Sequence, residues 1–328
     1  MRRRTFLAGI LAGSADPRLA LAQRRSGPLP VIGFLHSLTH QAVAKRVPAF
    51  HQGLREAGYD DGRDFKIEYR WAEGRYDRLP GLARELVDRQ VSVIVAGSTV
   101  AAVAAKAATS QLPIVFAGVG GDPVKLGLVS SFNRPGGNVT GFTILTATLG
   151  TKRLEILTEM APAASTIGAL VNPSNPNSEV TLRELPKAAA TLGRKLVFSP
   201  VRSAADVSPA LQALVDQKVE ALLVDADPSF MTYLKQISSL AAKHAWPAIF
   251  EFRDFPDAGG LMSYGPNNND TYRQAGGYVA RILRGESPAD LPVQAPTRYE
   301  MIINLRTARA IGITVPPMLL ARADEVIE

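Results

Sequence analysis

The chain has 328 residues, 46% of them hydrophobic and 20% charged, with a formal net charge of +7 and no cysteine. That length can bury two medium cores, and the composition is ordinary for a globular chain. The missing thiols exclude disulfides, thiolate metal sites and cysteine nucleophiles, and the absence of about 18 uninterrupted apolar residues excludes a spanning helix.

At the amino terminus, Arg2-Arg3-Arg4-Thr5-Phe6-Leu7 is a basic lead into a mostly apolar stretch, and Ala20-Leu21-Ala22 offers a cleavage site before Gln23. The order Arg3-Arg4-x-Phe6-Leu7 resembles a twin-arginine export signal, which predicts a periplasmic location, although Asp16, Pro17 and Arg18 interrupt the apolar run. Removing residues 1–22 takes away four arginines and one aspartate and leaves a charge of +4. No basic run with interleaved aromatics follows, so nucleic acid is not an expected partner.

From Pro30 the pattern repeats as strand, turn, helix. Buried strands are predicted at Val31 to Leu35, Val91 to Ala96 and Pro113 to Ala117, and a half-exposed strand at Phe65 to Trp71. Helical spacing lies between them, at Gln41 to Ala57, Tyr76 to Arg89 and Val100 to Ala108. Asp122-Pro123 reads as the start of a short helix, and Asn133-Arg134-Pro135-Gly136-Gly137-Asn138 as a break before a further extended run from Val139. The rhythm resumes with strands at Thr166 to Val171, Lys195 to Pro200, Val219 to Val224 and Pro247 to Phe250. Ser203 and Asp206 form a capping-box pattern between two of them. A run from Gly260 to Gly265, a helix from Thr271 to Leu283 and a strand from Tyr299 to Leu305 close the chain.

This alternation predicts an α/β chain of two doubly wound lobes with parallel sheets. Crossings near Gly141, Tyr264 and Pro292 would make a three-crossover hinge. They divide the chain into one lobe of residues 30–141 plus 265–290 and another of 142–264 plus 291–328.

Ligands of such sheets bind at the carboxyl ends of the strands, which selects the candidate binding residues. In the first lobe they are His36 and Ser37, Ser98 and Thr99 with the first free amides of the following helix, and Gly121 with Asp122. In the second they are Asn172, Ser174 and Asn175, the acids Asp225, Asp227 and Glu251, one of which is expected to face the cleft, and Tyr264 as the preferred aromatic. Phe34, Phe116 and Phe252 also sit at or beside strand ends, with core packing favoured for the first two. Each reading competes with ordinary capping or turn formation. His36 and His40 lack a third ligand nearby, so no metal is expected. The glycines at 118, 120 and 121 follow the fourth strand and lack a dinucleotide fingerprint, and there is neither a phosphate loop nor a nucleophile elbow. Neither a cofactor nor an enzymatic activity is expected.

The motifs PIVF-x-GVGGDPVKLGLV, NRPGGNVTG, VNPSNPN, LMSYGPNNNDTYRQAGGYVARILRGESPADLPVQ and LRTARAIGITVPPMLLARADEVIE occur in that order. Together they resemble the ABC-transporter substrate-binding protein family related to tryptophan-type periplasmic binding proteins, over nearly the whole chain from Pro30. The resemblance implies the type I periplasmic binding fold of two Rossmann-like lobes joined by three crossovers. It also implies a periplasmic receptor that closes over a small molecule and delivers it to a membrane permease with a separate ATPase subunit. An amino acid or aromatic carboxylate is the expected solute, and a monomer the expected state. A ligand-sensing domain that signals without transport is the alternative.

Overall fold

The structure is a computed structural model that describes residues 28–328. The export signal read at residues 1–22 lies outside them.

Five strands form the first sheet: β1 (Val31–His36), β2 (Lys66–Trp71), β3 (Val93–Ala96), β4 (Ile114–Val119) and β5 (Val139–Thr143). Their order is β2-β1-β3-β4-β5 and every pairing is parallel. Helices α1 (Arg46–Glu56), α2 (Leu79–Asp88) and α3 (Thr99–Ala108) are the crossovers. Strands β1, β3 and β4 are buried on nearly every residue, as expected where helices cover both faces of a parallel sheet.

Helix α4 (Gly150–Met160) opens the second lobe. Strands β6 (Thr166–Val171), β7 (Lys195–Pro200), β8 (Ala221–Val224) and β9 (Ala248–Phe250) then alternate with α5 (Ser178–Thr191), α6 (Ala204–Asp216) and α7 (Leu234–Lys243). After the short α8 (Asp254–Asp257) comes β10 (Met262–Gly265). The chain next sends α9 (Asn268–Leu283) back onto the first lobe, where it packs against α1, β4 and β5. It returns as β11 (Glu300–Asn304), α10 (Leu305–Ala310), α11 (Pro317–Arg322) and β12 (Glu325–Ile327). The second sheet has the order β12-β11-β10-β9-β8-β6-β7.

Three details depart from the sequence reading. The pair β10–β11 is antiparallel, because β11 re-enters the sheet from the other lobe rather than through a covering helix. Residues 139–143 pair with β4, so the chain leaves the first lobe after Thr143 rather than at Gly141. The Asp122-Pro123 stretch makes turns instead of a helix: Asp122 accepts from the amides of Val124 and Lys125, but Gly127 at φ +66° turns the backbone left-handed after one turn. The Ser203 capping box does form, its amide donating to the Asp206 carboxylate at 2.9 Å.

The return of α9 depends on two glycines. A Cβ at Gly53 would lie 1.8 Å from the Arg273 carbonyl oxygen, and one at Gly276 would lie 2.4 Å from that of Phe50. Only hydrogen side chains let α1 and α9 approach this closely, which seats the amino-terminal turn of α9 against the ends of β3 and β4.

Candidate functional site

The carboxyl ends of both sheets face one another across a narrow cleft. The first lobe lines it with His36, Arg46, Gly97, Ser98, Thr99, Gly118, Gly120, Asn268 and Tyr272. Thr146, Asn177, Met231, Glu251 and Phe252 line it from beyond β5.

On the first-lobe side, side chains are held by protein partners. His36 is buried; its Nδ1 accepts the Leu38 amide at 3.0 Å and its Nε2 lies 2.9 Å from the Tyr272 hydroxyl. Tyr272 spends its only proton on the Gly97 carbonyl at 3.1 Å, so Nε2 is the protonated nitrogen of a neutral ring. Burial, aided by the nearby Arg46 charge, pushes the imidazole down to about 3. His36 therefore forms part of the wall with neither ring nitrogen free.

Ser98 caps α3, its Oγ accepting the Ala101 amide at 3.2 Å. Thr99 Oγ1 accepts from the Gly120 amide and from Asn177 Nδ2, both at 3.0 Å, the second bond crossing the cleft. The amino-terminal end of α3, where Ser98 and Thr99 line the cleft, carries the positive end of the helix dipole. Asn177 Oδ1 and Asn268 Oδ1, both buried, have no partner among the described residues.

The other side carries charge. Glu251 is 3% exposed and its Oε2 has no partner among the described residues. Burial pushes this carboxyl up to about 8, against the opposing pull of the Arg153 guanidinium and of hydrogen bonding from Thr146. Arg153 is itself fully buried. Its Nη2 donates to the Thr146 carbonyl at 3.2 Å, while Nε and Nη1 are unpartnered among the described residues.

Of the residues selected from the sequence, His36, Ser98, Thr99 and Glu251 come together around the cleft. Glu251 is the strand-end acid that faces it. The other two acids hold the framework. Asp225 accepts from Thr181 Oγ1 at 2.7 Å and Ser178 Oγ at 3.3 Å. Asp227 accepts from Asn172 Nδ2 at 3.1 Å, Asn175 Nδ2 at 2.7 Å and the Ser229 amide at 2.9 Å. It also takes the Tyr76 hydroxyl from the first lobe at 3.0 Å. Asn172 and Asn175 thus serve Asp227, not the cleft surface. Ser37 is buried outside the lining. Gly121 lies behind Asn177, whose Oδ1 would be 2.6 Å from a Cβ there, and Asp122 caps its own turn. Tyr264 packs its ring beside Tyr299 at 6.1 Å, because alternation along β10 turns it away from the face that carries Ser263.

Arg46, Thr146, Asn177, Met231, Asn268 and Tyr272 were not selected from the sequence. Asn177 was within reach of that reasoning, closing the same asparagine-proline run as Asn172 and Asn175. Arg46 and Tyr272 stand on α1 and α9, which carry no strand-end signal. Among the described residues, no cluster of three or more His, Asp or Glu is placed to hold a metal ion. Nor is any helix there long and apolar enough to cross a membrane.

A family model described as ABC transporter substrate binding protein matches residues 31–327. The tyrosine-binding protein of Clostridioides difficile is 30% identical over 282 residues, covering 86% of this chain and 81% of that one. A solved ABC domain from Streptococcus pneumonia in complex with L-Trp superposes with a TM-score of 0.83 at 27% identity, over 92% of this chain and 100% of that one. The ligand-free, open structure of a substrate-binding protein with adhesive properties from Clostridium difficile gives 0.63 at 28% identity, over 91% and 99%.

Proposed function

Since the chain belongs to the ABC transporter substrate-binding protein family, we propose that it captures an aromatic amino acid between its lobes and presents the closed form to a membrane permease. The observation that carries this reading is the buried, unpartnered Oε2 of Glu251 in a cleft that also receives the amino-terminal end of α3. Burial disfavours the ionised form of this carboxyl, and a solute ammonium beside it favours that form. The α-carboxylate of the same solute takes the Thr99 hydroxyl and the first amides of α3. Phe252, Ile144 and Met231 supply apolar surface for a ring.

The relatives support the aromatic class, one being a tyrosine-binding protein and another holding L-Trp. The higher TM-score against the L-Trp complex than against the open structure, at similar identity and coverage, supports a closed lobe arrangement. Solute shifts the population toward this state by touching both lobes at once. On this reading the chain acts as a monomeric periplasmic receptor exported through its twin-arginine-like leader, and it performs no chemistry on its solute.

The test is a thermal-shift and calorimetric screen of the full chain against the protein amino acids, sugars and nucleosides. Aromatic amino acids are expected to stabilise the fold by about 2.7 kcal/mol at a hundred times their dissociation constant. Stabilisation by sugars or nucleosides alone would refute the zwitterion reading.

A further inference from the structure

Four charged residues meet where the lobes come together at the start of α1. Lys45 immediately precedes that helix and Arg46 is its first residue, while Asp254 and Asp257 are the first and last residues of α8. Lys45 Nζ lies 2.9 Å from Asp257 Oδ2, and Arg46 Nη2 lies 3.6 Å from Asp254 Oδ2. Since α1 is a crossover of the first sheet and α8 lies between β9 and β10 of the second, both pairs cross from lobe to lobe.

The charges on each helix explain the pairing. The first turn of α1 holds no acid and starts with two cations at the positive end of the helix dipole, an arrangement that is unfavourable within the first lobe alone. The acids that α1 lacks come from α8. Within its own lobe, and among the described residues, Asp257 has only long contacts to Arg253, at 3.4 Å, because that guanidinium is committed to both Glu325 oxygens at 2.9 and 3.0 Å. The short bond of Asp257 is therefore the one that crosses the lobes. Arg46 also lines the cleft, but Lys45 and Asp257 do not: they line a separate surface groove to which both lobes contribute.

We propose, on the basis of the two-lobed receptor reading above, that Lys45 and Asp257 are positioning residues, an ion-pair latch that holds the lobes closed over a captured solute without touching it and so slows its release. Opening separates α1 from α8 and leaves Lys45 at a helix start that has no acid of its own. The latch belongs to the closed state, so it governs how fast the solute leaves and not how fast it arrives. Both partners reach solvent, so salt screens the pair.

The experiment follows capture and release of radiolabelled L-tyrosine and L-tryptophan by the full chain, in the wild type, Lys45→Met, Lys45→Glu, Asp257→Asn and the double variant Lys45→Met with Asp257→Asn. Each neutral single variant should speed release about twofold to fivefold, as fits an exposed pair. Lys45→Glu, which adds repulsion, should speed it most. The double variant should release no faster than either neutral single, because the pair is lost only once. Raising salt from about 0.02 to 0.5 M should speed release more in the wild type than in the neutral variants. Urea unfolding midpoints of the Lys45 variants should not fall, since removing a cation from the amino-terminal end of α1 favours that helix. Unchanged release, or effects that add in the double variant, overturns the proposal. So does a change confined to capture, which would assign Lys45 to steering the solute, or a midpoint that falls as release quickens, which would assign the effect to folding. If the wild type binds neither solute, the aromatic reading falls and this assignment falls with it; unchanged release refutes the latch and leaves that reading standing.

Discussion

On the first-lobe wall, His36 and Tyr272 form a closed chain of hydrogen bonds ending on the Gly97 carbonyl, and Ser98 and Thr99 accept from backbone amides. The opposite wall holds Glu251, buried and with an unpartnered atom, near the fully buried Arg153, which also has unpartnered atoms but does not line the cleft. Apart from Arg46 and the unpartnered Asn268 Oδ1, the first wall is therefore a finished surface that orients a solute at little reorganisation cost. The second is electrostatically incomplete until something with complementary charge enters. A receptor gains from this division: rigidity gives it selectivity, and the unmet charge makes closure depend on the solute.

The largest expected effect is on the incomplete wall. Glu251→Gln keeps the shape and removes the charge that meets the ammonium, so aromatic amino-acid affinity should fall by about 3 kcal/mol, or more than a hundredfold, in calorimetric titration. Unchanged affinity would move the ammonium elsewhere and dissolve the contrast between the walls.

Next comes the pH dependence of the solute-free chain. Glu251 is held near 8 against an ordinary 4.5, so between those values the folded chain binds more protons than the unfolded one and loses stability as pH rises. His36, pushed down to about 3 from 6.5, acts in the opposite direction, adding stability as pH climbs toward 6.5 and nothing further above it. The interval from about pH 6.5 to 8 therefore lies above the His36 window, and comparison with Glu251→Gln separates Glu251 from Asp225, whose carboxyl burial also pushes up. Urea titrations should lose about 2 kcal/mol across it in the wild type and stay nearly flat in Glu251→Gln. A flat wild-type curve would mean that Arg153 fully compensates the carboxylate.

The finished wall should respond in stability more than in binding. Tyr272→Phe strands the His36 Nε2 proton and the Gly97 carbonyl, at a cost of about 1–2 kcal/mol in urea unfolding with affinity within about threefold. A larger loss of affinity than of stability would place the Tyr272 hydroxyl against the solute.

The smallest effect concerns the join between the walls. The half-buried Tyr76 hydroxyl reaches both Asp227 oxygens, at 3.0 and 3.1 Å, across the lobes. Burial and the Asp227 charge keep this phenol protonated, well above its ordinary value. Tyr76→Phe removes a contact that belongs to the closed state, so affinity should drop several-fold, about 1 kcal/mol, with the unfolding midpoint barely moved. Equal shifts in both would show that the contact persists when the lobes open.

Hydrophobic period and turn residues are local signals, so the strand-helix alternation, the two lobes and the placement of candidates at strand ends were legible along the chain. That was enough for His36, Ser98, Thr99 and Glu251. It also put forward Asn172, Asn175, Asp225 and Tyr264, since strand-end position is visible along the chain while side-chain partnership is not. Packing in three dimensions gives Asn172 and Asn175 to Asp227, gives Asp225 to Thr181 and Ser178, and turns Tyr264 on β10 away. It alone brought Arg46 from α1 and Tyr272 from α9 into the cleft. The physical reason is the close approach of those two helices at Gly53 and Gly276, a contact between residues more than two hundred positions apart that no local pattern encodes.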